Sequence, residues 1–154
     1  MTKYLNVSTL LVQKEFIMGY RESLLKAGAQ VLDYQEFGSY QGDWIAFVNF
    51  NGKKGFVQSY FGSCSGCDAF QSEFNYNEDK CEEHRWDDDV IECDECKAKK
   101  MSYEEKIKNF GLSFLENILN YQEVYASVSE NLEWDGNAKE MVDWVESKKS
   151  EYEA

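Results

Sequence analysis

Three pairs of metal-ligand residues with the same spacing stand out in this sequence. They are Cys64-x2-Cys67, Cys81-x2-His84 and Cys93-x2-Cys96, and they contain all five cysteines and the only histidine. A gap of two residues lets one tight turn present both donor atoms to the same tetrahedral ion. The spacing therefore predicts a structural zinc site whose candidate ligands are Cys64, Cys67, Cys81, His84, Cys93 and Cys96.

Six candidates exceed the four ligands that one zinc ion takes, so several combinations are open. The first combines Cys64 and Cys67 with the pair at 93 and 96, and it would fix the longest loop. The second combines the pairs at 81/84 and 93/96 in a compact finger and leaves Cys64 and Cys67 free. The third combines the pairs at 64/67 and 81/84. A two-metal cluster with shared thiolates is a further arrangement. The sequence alone does not decide among these four arrangements.

The segment from Glu78 to Cys96 is unusually acidic. It holds ten acidic and two basic residues, a net charge of −8, and it has no apolar periodicity. Such a composition does not bury enough apolar surface to hold one conformation unaided. A bound metal ion would give this segment the fixed shape that its own side chains do not provide.

A thiol oxidoreductase is the main alternative. A predicted strand runs into Cys64-Ser65-Gly66-Cys67 and a short helix follows from Asp68 to Phe74, as in thioredoxin-like sites, where a helix N-terminus activates the dithiol. Two features argue against it: the chain has no proline to face a dithiol, and acidic surroundings raise a thiol pKa. Phosphate-binding glycine loops and a Ser-His-Asp arrangement with a free histidine are also missing from the sequence. The sequence therefore favours a binding protein over an enzyme, with a thiol oxidoreductase and a zinc hydrolase as the enzyme alternatives that stay open.

The pattern of apolar residues predicts an α+β fold. Apolar residues at steps of three and four predict an N-terminal helix from Ser8 to about Gly28. Three strands are expected over 29–37, 43–50 and 56–61, the last two forming a hairpin around a turn at 51–55.

The last third of the sequence is predicted to be helical. Ser102-Tyr103-Glu104-Glu105 reads as a capping box that opens one helix, which Gly111 could kink or interrupt. A second helix is expected over Tyr121–Leu132, and Asn137-Ala138-Lys139-Glu140 reads as the capping box of a third. We expect a single domain, 1–154, with the zinc-binding segment 60–100 inserted between the sheet and the C-terminal helices.

The net charge of −13 limits the choice of partners. The sequence has 29 acidic and 16 basic residues, which opposes binding to nucleic-acid phosphates or to an anionic membrane and favours a basic protein partner. The N-terminal residues do not resemble a signal peptide, and five cysteines without one indicate a reducing compartment. These features predict a soluble cytoplasmic protein.

One stretch of the sequence resembles a known group of proteins. The motif Gly62-Ser63-Cys64-Ser65-Gly66-Cys67-Asp68, within Tyr60–Phe70, is similar to a motif in small uncharacterised proteins of bacteriophages and bacterial mobile elements. The likeness extends through the pairs at 81/84 and 93/96 to Asn131–Asp135, roughly the second half to two-thirds of the chain. It implies a phage-type origin and a bacterial host cytoplasm, and it implies no particular chemistry.

The sequence thus favours an acidic, zinc-stabilised binding protein, such as a phage-encoded inhibitor or adaptor of a basic, nucleic-acid-binding host protein. The alternative is a thiol oxidoreductase that uses Cys64 and Cys67. Trp86, inside the acidic segment, is expected either to pack beside the zinc site or to anchor a partner. Trp134 and Trp144 are expected in the core.

Overall fold

The structure, a computed structural model, describes residues 19–63, 68–74, 78–87, 93–130, 132 and 136–154. In these ranges it contains one three-stranded antiparallel sheet and six helices, which confirms the predicted α+β class. The strands are β1 (Gln30–Gly38), β2 (Gly42–Phe50) and β3 (Lys53–Phe61). The helices are α1 (Tyr20–Lys26), α2 (Ala69–Glu73), α3 (Asp94–Leu115), α4 (Tyr121–Ser129), α5 (Ala138–Ser147) and α6 (Lys149–Glu153).

The central strand β2 is buried on both faces. Successive side chains of a strand point to opposite sides of the sheet. Trp44, Ala46 and Val48 therefore join one apolar cluster with α1 and the end of α3. Ile45 and Phe47 join a second cluster with α4 and α5. The sheet thus lies between two helical layers, which explains the almost unbroken apolar run in β2.

The hairpin between β2 and β3 is tighter than the sequence predicts. Phe50 pairs with Lys53, so only Asn51 and Gly52 lie between the strands. Both have positive φ, 51° and 81°, as the two central residues of a type I′ turn require. Lys53–Gly55, predicted as turn, are the first residues of β3, because this turn matches the twist of the strands.

The predicted continuous helix from Ser8 to about Gly28 is interrupted at Gly19. Gly19 has φ 107° and ψ −79°, which is not helical, and α1 starts at Tyr20. The predicted end is confirmed, since α1 stops at Lys26 and Gly28 has φ 95°. The rest of that prediction, 8–18, lies outside the described residues.

The predicted capping box at 102–105 is wrong. Helix α3 has 22 residues and already begins at Asp94, so Ser102–Glu105 lie within it. Its N-cap is Cys93, whose sulfur accepts a hydrogen bond from the backbone N–H of Cys96. A cysteine of a predicted metal-ligand pair therefore caps this helix, in a position where Ser or Asp is more usual.

Gly111 does not interrupt α3, which continues to Leu115. Instead it lets α3 approach α1 closely, because a Cβ at Gly111 would overlap the carbonyl oxygen of Ser23. The glycine is thus explained by helix packing.

The last helices follow the predicted order with changed ends. Helix α4 starts at Tyr121 as predicted but ends at Ser129, and it has a capping box between Asn120 and Glu123 that the prediction missed. Helix α5 starts at Ala138, although the Asn137 side chain makes no capping hydrogen bond. Trp144 on α5 is half-buried, with its ring edge-on to Phe37 and Phe56. Trp134 lies outside the described residues.

Candidate metal centre

Two of the three ligand pairs come together in space. The sulfur atoms of Cys81, Cys93 and Cys96 and a ring nitrogen of His84 all lie within 4.8 Å of one another. The three cysteines are free thiols. This is a Cys3His set of donors, the composition of a metal-binding site.

The distances between donor atoms fit a tetrahedral ion. The Sγ atom of Cys81 lies 3.8 Å from that of Cys93 and 3.4 Å from that of Cys96. Nδ1 of His84 lies 3.2 Å from the Cys81 sulfur and 3.5 Å from the Cys96 sulfur. Ligands at ~2.3 Å (sulfur) and ~2.0 Å (nitrogen) from zinc would be ~3.5–3.8 Å apart. The sulfur separations far exceed the ~2.05 Å of a disulfide bond.

Two different local structures supply the donors. Cys81 and His84 come from a short series of turns over 81–86, where the N–H of Asp87 donates to the carbonyl oxygen of His84 at 3.2 Å. Cys93 and Cys96 come from the N-terminal end of α3. The centre therefore joins the two ends of the acidic segment at the start of a long helix.

The donors are partly shielded from solvent. Cys81 is 2% exposed and Cys96 8%, whereas His84 and Cys93 are half-buried. The N–H and side chain of Cys96, with His84 and Cys81, lower the pKa of Cys93 to about 7. A backbone hydrogen bond at Cys81 acts to lower the pKa of Cys96, but burial and the neighbouring thiols Cys93 and Cys81 outweigh it and raise the value to about 11. A divalent cation would replace the protons for which these donors compete.

Acidic side chains surround the centre. Glu82, Glu83, Asp87, Asp94 and Glu95 are all exposed. Trp86 is 72% exposed, with the guanidinium of Arg85 lying 5.6 Å from its ring centroid. Trp86 therefore does not fill a buried position beside the donors.

Of the three combinations left open by the sequence, the structure brings together the second, Cys81, His84, Cys93 and Cys96. Cys64 and Cys67 lie outside the described residues, so their predicted role as ligands stays a prediction.

The residues that flank Cys64 and Cys67 reveal a polar contact that the sequence did not predict. Asp68 is 8% exposed, and its carboxylate accepts hydrogen bonds from the hydroxyl of Tyr20 (2.7 Å) and the N–H of Gly62 (3.0 Å). It also caps α2 by accepting from the N–H groups of Phe70 and Gln71. Aspartate before a helix is a known capping signal, but its partner Tyr20, 48 residues away, could not be read from the sequence.

Comparison with protein families, curated proteins and solved structures finds no match for this chain. In the part of the chain that the structure describes, no helix is both long and apolar enough to span a membrane. The fold and the donor cluster thus define an α+β protein with a Cys3His site capable of binding a metal ion.

Proposed function

We propose that Cys81, His84, Cys93 and Cys96 bind one structural Zn²⁺ ion. The observation that carries this proposal is the convergence of four protein donors within 4.8 Å of one another, with separations of 3.2–3.8 Å from Cys81 to the other three and from His84 to Cys96. Thiolate-rich sets of this kind suit zinc, and four protein ligands leave no open position for a substrate or a reactive water. The ion would stabilise the protein and would not take part in a reaction.

The consequence of zinc binding would be a fixed shape for an acidic surface. The ion ties Cys81 and His84 to the first turn of α3, which orders a segment of net charge −8. Its positive charge also offsets part of the repulsion between the thiolates and nearby carboxylates.

On this scaffold we propose a non-enzymatic binding protein whose acidic surface docks onto a basic partner, as an inhibitor or adaptor does. The support is the net charge of −13 and the exposure of Glu82, Glu83, Asp87, Asp94 and Glu95 around the centre. Opposite charges on the two proteins would speed their encounter and orient them. A phage-encoded protein that acts on a nucleic-acid-binding host protein is the context that the sequence resemblance favours.

Metal analysis of protein purified without added zinc tests the first proposal. We expect one zinc ion per chain, and we expect Cys81→Ser or Cys96→Ser to lose it. The matched control is the double variant Cys64→Ser, Cys67→Ser, which should keep one zinc ion. Loss of zinc from the control would instead assign the metal to a combination that includes Cys64 and Cys67.

Capture of partners at ~0.05 M and ~0.5 M salt tests the second proposal, since salt screens exposed charges. We expect a basic protein that is captured at low salt and released at high salt. Glu82→Lys with Glu83→Lys should weaken capture, whereas Glu130→Lys with Glu140→Lys, the same charge change away from the centre, should have little effect. Capture that is insensitive to salt, or equally affected by both double variants, would contradict the proposal.

A further inference from the structure

A long groove runs along one side of α3. Its larger part, about 780 Å³, lies between the helix and residues 73–74. A smaller part, about 320 Å³, continues toward Glu78 and Glu95, and both parts share Ser102 and Lys106. From Glu95 to Ser113 the groove follows 19 residues of helix, an axial rise of ~27 Å.

The groove has an apolar floor and a mainly acidic rim. Phe74 and Phe110 lie edge to face at its floor, 5.4 Å apart, and Met101 on its wall is 72% exposed. Lys106 crosses it, with its ammonium group 4.8 Å from the Phe74 ring centroid and 2.8 Å from a carboxylate oxygen of Glu78. The acidic residues along the groove are Glu73, Glu78, Glu95 and Glu105, against Lys99 and Lys106. A matching ligand would be apolar with a slight positive charge.

We propose that this groove is the docking site for residues 1–18 of the same chain. Ten of these 18 residues are apolar, and they include two basic residues, Lys3 and Lys14, but only one acidic residue, Glu15. The other 136 residues carry 28 acidic and 14 basic side chains. The N-terminal segment is therefore the one whose composition best complements the groove.

The position of Gly19 places the segment next to the groove. A Cβ on Gly19 would lie only 2.7 Å from the Phe70 ring, so the chain passes directly over that ring. The Phe70 ring stacks on Phe74 with centroids 4.5 Å apart, and Phe74 is part of the groove floor. Gly19, the first described residue, thus lies about one aromatic ring from the groove, and a segment of 18 residues could reach ~27 Å even if it were helical. The length of the segment 1–18 and the point at which it joins the described chain are therefore both compatible with docking in the groove.

Docking would remove apolar surface of both partners from water, including Met101 and the side chains of Phe16 and Ile17. The larger part of the groove, lined by residues 101–113 of α3, lies outside the segment that the proposed ion would order, and the inference does not require a basic partner protein. It assigns a function to the most apolar end of the chain, which the binding proposal leaves unused.

Photo-cross-linking of the full-length chain tests the docking. Phe16 is replaced with p-benzoylphenylalanine, the protein is irradiated, and the products are separated by mass and digested. We expect a cross-link within one chain to residues 101–113. Met101→Asp should reduce its yield about tenfold, because a carboxylate in an apolar contact is costly. The matched control Tyr40→Asp, at a residue 81% exposed in the β1–β2 loop, should leave the yield unchanged.

The rate of Met101 oxidation by dilute peroxide gives a second readout that needs no unnatural residue. Phe16→Asp with Ile17→Asp should raise this rate several-fold, while Tyr40→Asp should not. A cross-link to another surface, a cross-link found only between two chains, or a Met101 oxidation rate unchanged by the double variant would each overturn the proposal. A product between two chains at the same residues would identify a second copy as the occupant.

Discussion

At the scale of single residues, the Tyr20–Asp68 pair is a buried polar contact that ties α1 to the start of α2. The Tyr20 hydroxyl is buried and donates to Asp68, and the burial together with this hydrogen bond raises the pKa of Tyr20. Asp68 in turn accepts from backbone N–H groups on both sides of residues 63–67. Removal of the carboxylate would leave the buried Tyr20 hydroxyl and the buried N–H of Gly62 without this acceptor.

We therefore predict that Asp68→Ala lowers the free energy of unfolding by about 2–4 kcal/mol, because unpaired buried polar groups carry a desolvation cost. Chemical denaturation measures this. Asp143→Ala removes an exposed i,i+4 ion pair with Lys139 and should cost only about 0.3–0.5 kcal/mol. If the two variants lost similar amounts of unfolding free energy, the hydrogen bonds of Asp68 would not be stabilising.

The thiols provide a second prediction at this scale. If zinc binds Cys81, Cys93 and Cys96, a thiol reagent should modify these three cysteines slowly in the native protein and quickly after denaturation with a chelator. The double variant Cys64→Ser, Cys67→Ser should have no fast thiol. Fast modification of more than two thiols in the zinc-loaded protein would contradict the assignment.

At the scale of elements, α3 connects the candidate metal centre to the core. Its first turn carries Cys93 and Cys96, and its second half packs on α1 through Gly111. Phe110, Phe114 and Leu115 at this end join the cluster around Trp44. One helix thus links the acidic segment to the sheet.

The close packing of α3 on α1 predicts that Gly111→Ala is destabilising. Alanine favours a helix over glycine by about 1 kcal/mol. The added Cβ would overlap the Ser23 carbonyl, and overpacking of this kind costs about 1–3 kcal/mol or more. We expect a net loss of stability in thermal or chemical denaturation. Gly136→Ala, where nothing lies within 4 Å of the added Cβ, should not destabilise the protein.

At the scale of the whole molecule, the candidate metal centre lies outside the two apolar clusters. Both apolar clusters are built on β2, and neither contains a metal-ligand residue. The described residues of the acidic segment, 78–87 and 93–96, contribute to neither cluster, so we expect their order to depend on the proposed ion.

We predict that zinc removal loosens residues 78–100 and leaves the sheet intact. Hydrogen exchange measured by mass spectrometry with and without a chelator should show faster exchange in that segment and little change in β2 and β3. Adding back zinc should restore protection in the wild type but not in Cys96→Ser. Global unfolding on chelation would show that the core depends on the ion.

The sequence by itself determined the features that rest on local pattern. The donor spacing identified every residue of the Cys3His cluster, and the apolar run of 43–50 followed by turn residues identified the hairpin, because both signals lie within a few neighbouring positions. Only the tertiary structure brought the pairs at 81/84 and 93/96 together, started α3 at Asp94 and explained Gly111 by its close approach to Ser23. Each of these depends on which segments, distant in sequence, lie next to each other in space. The spacing of residues along the chain does not determine those contacts.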